Sequence, residues 1–115
     1  MFVEASSGGT AAGTSSIDSI TGATTKTITV PKATTDWWIL SNTHYSSYLS
    51  AITVKVNGTE YTGWKTGTPV EIGVVNSNRA CYAFHVTDLT LGTGDSIELK
   101  CTNAAWGVGV ILNNQ

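Results

Sequence analysis

Apolar and polar residues alternate with a period of two along most of the chain after residue 24, which is the pattern of half-buried β-strands. The alternation is clearest in residues 25–30, 51–56, 80–86 and 96–101, and residues 70–75 and 105–112 read as two further strands. Turn residues separate these segments about every 8–12 residues, which is typical of small all-β domains. We therefore predict an all-β fold, an antiparallel β-sandwich or jelly roll with an extended N-terminal arm.

The phase of the alternation predicts which side chains face the core. The inward positions are apolar and two residues apart: Ile28, Val30, Tyr82, Phe84, Val86, Ile97, Leu99 and Cys101. The segment from Trp37 to Leu40 is apolar on both faces, so we expect a central strand or one covered by a neighbouring subunit. Asn57-Gly58 lies between two alternating segments and predicts a hairpin with a type I′ turn.

Of the first 24 residues, 17 are Ser, Gly, Thr or Ala. So few apolar side chains cannot offset an ordering cost of about 1–2 kcal/mol per residue. We therefore divide the chain into an arm, residues 1–24, and a sandwich, residues 25–115, and expect another protein chain to hold the arm by backbone hydrogen bonds. The apolar residues through which the arm would be anchored are Phe2, Val3, Ile17 and Ile20.

Composition excludes several classes of function. The chain has 115 residues, enough for one domain, and only 12% of them are charged, against about 25% in an ordinary soluble domain. A net charge of −2 supplies no basic patch for nucleic acid, and no apolar run reaches the ~20 residues of a membrane span. The N-terminal sequence has no secretory pattern, so we expect folding in a cytoplasm.

The polar residues do not form a recognisable reactive site. The eight carboxylates fall mostly on predicted turns or outward strand positions, and neither His44 nor His85 lies in a nucleophile motif. We expect no enzymatic activity, no bound metal and no cofactor. Cys81 and Cys101 would lie near register in a hairpin around residues 91–94; a disulfide is one alternative, and reduced thiols in a cytoplasmic protein are the favoured one.

The aromatic residues are the candidate functional groups. Trp38 and Trp106 would suffice for the core of a small sandwich, which leaves Trp37 and Trp64 to face elsewhere, together with a predicted loop from Ser41 to Ser50. These exposed aromatics would anchor a protein interface or, alternatively, stack on sugar rings; a third interpretation places all four indoles in the core. The predicted interface or ligand-binding residues are Trp37, His44, Tyr45, Tyr48 and Trp64.

The chain also resembles two groups of known proteins. Leu89-Thr90-Leu91, the run Gly94 to Leu99 and the final run Trp106 to Leu112 resemble the last strands of complement-type and tumour-necrosis-type jelly rolls, which trimerise. In composition the whole chain is similar to small virion proteins of tailed bacteriophages, especially capsid decoration proteins. That second resemblance implies no role for any particular residue.

Together these observations predict a virion structural protein, made in a host cytoplasm and attached to the outer surface of a phage capsid. Its expected partners are the major capsid protein or another virion protein and further copies of itself, in a trimer. The alternative is a receptor-binding or glycan-binding tip domain of a tail or head fibre.

Overall fold

A computed structural model describes residues 14–43, 46–76 and 79–115. Within them the chain forms two antiparallel sheets packed face to face, and this confirms the predicted all-β sandwich. The strands are β1 Ser15–Thr21, β2 Thr24–Thr29, β3 Trp37–Thr43, β4 Ile52–Val56, β5 Thr59–Glu60, β6 Val70–Asn76, β7 Arg79–Val86, β8 Ser96–Cys101 and β9 Gly107–Asn113. Two short 3₁₀ helices, Ser46–Ala51 and Gly63–Thr66, lie between strands.

The strand pairing is that of a long hairpin rolled onto itself. Strand β1 pairs with β9, β2 with β8, β3 with β7 and β4 with β5. Rolling then brings β9 beside β3 and β8 beside β4, which gives a five-stranded sheet, β1-β9-β3-β7-β6, and a four-stranded sheet, β2-β8-β4-β5. This double-sheet winding is a jelly roll.

The core lies between the two sheets and is built from the inward side of each strand. Ile97, Leu99 and Val30 are fully buried, Ile28, Phe84, Val86 and Cys101 are at most 9% exposed, and Tyr82 packs half-buried against the cluster. The predicted phase of these strands is therefore confirmed. Trp37–Leu40 lies in β3, the central strand of the larger sheet, as predicted.

The Asn57-Gly58 hairpin is also confirmed. Both residues have positive φ angles, 52° and 84°, as a type I′ turn requires, and Val56 pairs with Thr59. The second strand of the hairpin ends at Glu60, and a 3₁₀ helix begins at Gly63.

The predicted boundary after Thr24 is wrong, because the sandwich begins earlier. Residues 15–21 form β1, whose backbone pairs along its whole length with β9 of the same chain, and residues 24–29 form β2. Ile20 is 7% exposed in the core, whereas Ile17 is 68% exposed on the outside of the sheet. The chain's own last strand thus satisfies the backbone hydrogen bonds of residues 15–21, for which we expected a partner chain. Phe2 and Val3 lie outside the described residues.

The two cysteines are free. Cys81 lies on β7 of the larger sheet, and Cys101 lies on β8 of the smaller one. The hairpin expected to bring them near register does not form, because the chain crosses between the sheets after Val86.

Candidate functional site

The two tryptophans predicted to face a partner are buried. Trp37 is 0% exposed and its indole Nε1 donates a hydrogen bond to the carbonyl oxygen of Leu89, at 2.8 Å. Trp64 is 2% exposed and meets Phe84 edge to face, with ring centroids 5.0 Å apart. The prediction that these indoles form an interface or a sugar platform is therefore wrong. In β3 it assigned the two faces the wrong way round, because both faces of that strand are apolar.

The predicted loop from Ser41 to Ser50 is also divided differently. Ser41–Thr43 continues strand β3, and the 3₁₀ helix Ser46–Ala51 occupies most of the remainder. His44 and Tyr45 lie outside the described residues, and so does the side chain of Tyr48.

The feature that stands out is the outer surface of the five-stranded sheet, which we call the apolar face. The three exposed large hydrophobic side chains of the described residues, Ile17, Val70 and Ile72, lie there at 68%, 55% and 60% exposure. Trp38 and Leu40, on the outward side of β3, are only half-buried. Large exposed apolar patches on a soluble domain mark interaction sites.

Strand register arranges the apolar face in three rows that cross the sheet. The ridge row carries the large side chains Ile17, Ile111, Trp38 and His85. The central row consists of Ser19, Gly109, Leu40, Ala83 and Val70, and the shallow row of Thr21, Gly107, Asn42 and Cys81.

The face is depressed where β9 carries Gly107 in the shallow row and Gly109 in the central row, because the neighbouring strands carry side chains there. A hollow of about 300 Å³ lies over Gly107 and Gly109, between Thr21 on one side and Leu40 and Ile72 on the other. A second hollow of about 360 Å³ lies between Trp38, Leu40 and Ile72. A Cβ on Gly107 would come within 2.7 Å of the carbonyl oxygen of Ile20, so close approach of β1 to β9 requires glycine there.

Polar contacts hold the end of the ridge row in place. The rings of Trp38 and His85 are stacked, with centroids 4.4 Å apart and planes 19° apart. The Nε2 atom of His85 lies 2.9 Å from Oδ1 of Asp36, and the side-chain amide of Asn113 donates to Oδ2 of the same carboxylate at 3.2 Å. The indole of Trp38 is therefore fixed by its neighbours before any partner binds.

The three rows contain no Asp, Glu, Lys or Arg, and the Asp36 carboxylate lies at their rim. The oxygen of the Asn42 side chain is buried and makes no hydrogen bond within the part of the chain that the structure describes. Such a surface can bury area against another protein without desolvating charge.

The ionisable groups whose pKa is displaced lie away from the apolar face. Burial, together with the hydrogen bond to Asp88, raises the pKa of Tyr61 well above its ordinary range. The ammonium of Lys26 on β2 lies 2.6 Å from Oδ1 of Asp18 on β1, and this hydrogen bond lowers the pKa of Asp18. Both pairs join neighbouring segments of the fold, so we interpret them as structural.

Other classes of site find little support in the described ranges. Residues 14–43, 46–76 and 79–115 contain no group of three or more His, Cys, Asp or Glu side chains placed to hold a metal ion. No helix among them has the length and apolar character needed to span a bilayer.

The sequence signals the apolar face in one strand only. Trp37 to Leu40 is apolar on both faces, which predicts a second covered surface besides the core. Ile17 and Ile111 belong to that surface too, yet their strands are far apart in sequence and only the register aligns them. No family model, no curated protein and no solved structure matches this chain.

Proposed function

We propose that this protein is a virion structural protein that decorates the outer surface of a tailed-phage capsid and associates there with further copies of itself. It carries out no chemistry in this proposal. Its contribution is mechanical: a protein that binds the assembled shell but not the free subunits stabilises the shell by mass action, by about 2.7 kcal/mol per site at a concentration 100 times its dissociation constant.

The apolar face is the observation that supports an assembly function. Its three rows hold no Asp, Glu, Lys or Arg, it spans a whole sheet, and it holds three exposed large hydrophobic side chains of the described residues. A free monomer would leave this surface in water, where it favours aggregation. The low charged fraction, 12%, and the compositional likeness to decoration proteins support the choice of a virion among possible assemblies.

The alternative function, a glycan-binding fibre tip, has less support from the structure than from the sequence. Two of its stacking residues, Trp37 and Trp64, lie in the core. On the apolar face, one side of the Trp38 ring is already occupied by His85.

The number of copies per particle tests the proposal. Phage particles whose genome encodes the chain would be purified by density, and the chain would be quantified by mass spectrometry against the major capsid protein. We expect copies in a fixed ratio to the capsid protein, because a decoration protein repeats with the shell lattice.

Particles grown from a genome that lacks the gene provide the second arm. We expect them to release their genome at a lower temperature than complete particles. Absence of the chain from purified particles would contradict a virion role, and a few copies per particle with unchanged shell stability would favour the fibre tip.

A further inference from the structure

We propose that the apolar face is the contact surface for a second copy of this chain, and that the two copies pack face to face about a two-fold axis. This inference rests on the proposed assembly function and names the partner of the site. The axis would lie between the facing five-stranded sheets of the two copies. It would run perpendicular to the strands and pass close to Leu40 of the central row.

The shape of the face carries the choice of partner. The ridge row and the shallow row lie four residues apart on the same strands, a separation of about 13 Å. A two-fold rotation across the strands turns each strand end for end. It therefore places Ile111 of one copy over Gly107 of the other, and Ile17 over Thr21. The ridge row of one copy supplies bulk over the hollow at Gly107 of its partner, so this part of the surface is complementary to itself.

The charge distribution favours the same partner. In a two-fold contact each group near the axis meets its own duplicate, so any charge in the central row would face a like charge. Ser19, Gly109, Leu40, Ala83 and Val70 occupy that row, and none of them is charged. A surface that recognises a charged partner would instead carry complementary charge.

The area of the face is close to what a stable pair needs. Five strands about 4.8 Å apart and three rows about 6.7 Å apart give roughly 500 Å² of flat area per copy. The accessible surface of a rough face is larger than its flat area, and stable complexes bury about 800 Å² per partner. The pair is thus at the lower end of the range, and its copies would separate on dilution.

The test begins with the mass of the full-length protein in solution. Sedimentation equilibrium between about 1 µM and 500 µM should show a reversible change from one chain to two. Cys81, in the shallow row, supplies a readout without any substitution: its reaction with a thiol reagent should slow as concentration rises, since the partner covers it.

Substitutions then locate the contact. Ile17→Asp and, independently, Ile72→Asp place a charge at exposed positions of the face, where the folded monomer tolerates it, and each should raise the dissociation constant at least about 30-fold. Thr25→Asp is the matched control. It lies exposed on β2, an edge strand like β1 but on the other sheet, and it should leave pairing unchanged.

A second substitution tests the orientation of the copies. Thr21→Lys added to Ile17→Asp places opposite charges across the proposed axis and should restore pairing, although the two residues are about 13 Å apart within one chain. A chain that stays monomeric at all concentrations, a trimer, or a pair that neither aspartate weakens would overturn the inference. If the native protein pairs but Thr21→Lys does not restore pairing to Ile17→Asp, the two-fold orientation is overturned.

These results are independent of the particle measurement. A monomer found in fixed ratio on capsids would refute the pair and keep the decoration function. A two-fold pair in solution, together with absence of the chain from particles, would support the pair and refute the decoration function.

Discussion

The indole Nε1 of Trp37 donates a 2.8 Å hydrogen bond to the carbonyl oxygen of Leu89, so the first residue of the central strand is tied to the segment that follows β7. This contact explains why Trp37, and not Trp38, belongs to the core. A buried indole is more stable where its N–H finds an acceptor, and an indole on the inward side of β3 reaches the carbonyl oxygen of Leu89. Trp38 on the outward side stacks on His85 instead.

We predict that Trp37→Phe destabilises the fold more than Trp64→Phe. Both indoles are buried, but the Nε1 atom of Trp64 has no hydrogen-bond partner among the described residues. Trp37→Phe leaves the Leu89 carbonyl without its donor, which adds about 1–2 kcal/mol to the loss of packing. Urea unfolding of both variants measures the difference; equal free energies of unfolding would contradict it.

Tyr61 should make stability depend on alkaline pH. Its pKa is raised in the folded protein from the ordinary 10.0, first by burial and then by the hydrogen bond to Asp88. The unfolded chain therefore loses the proton first, so this stabilisation is complete below pH 10 and declines as pH rises above it. Thermal unfolding should show a smaller alkaline decline in Tyr61→Phe than in the native protein. An alkaline decline as large in Tyr61→Phe as in the native protein would contradict this explanation.

The Asp18–Lys26 pair should act at acid pH. The hydrogen bond from Lys26 lowers the pKa of Asp18 from its ordinary 3.8, so its stabilising contribution is present above that value and is lost as pH falls further. Asp18→Asn should remove this part of the acid dependence, by about 0.2–1 kcal/mol because the pair is partly exposed. Lys26→Gln should produce the same flattening; if only one variant did so, the pair would not be the cause.

Gly107→Ala should weaken the attachment of β1. The added methyl group would lie 2.7 Å from the carbonyl oxygen of Ile20, which is backbone and cannot rotate away. We expect a loss of about 1–3 kcal/mol in urea unfolding, with faster amide exchange in residues 15–21. Gly109→Ala, whose nearest atom would be 3.1 Å away, should cost less, and a larger cost there would contradict this explanation.

The sequence determined the fold class because strand alternation and turn chemistry are local. The Asn57-Gly58 turn and the inward phase of Ile97 and Leu99 followed from neighbours in the chain. The end of the arm could not be predicted from neighbouring residues in the chain. Ser15–Thr21 is poor in apolar residues by itself, and only its pairing with β9, almost 90 residues later, makes it a strand.

The candidate site was decided by tertiary structure. In Trp37–Leu40 both faces are apolar, so alternation left two assignments open, and the packing of Trp37 between the sheets selected one. Ile17, Trp38 and Ile111 form one ridge because three strands distant in sequence share a register. Period-two patterning specifies which side chains share a face of their own strand. The order of the strands in a sheet depends instead on how the long hairpin rolls, and this rolling is a property of the whole chain.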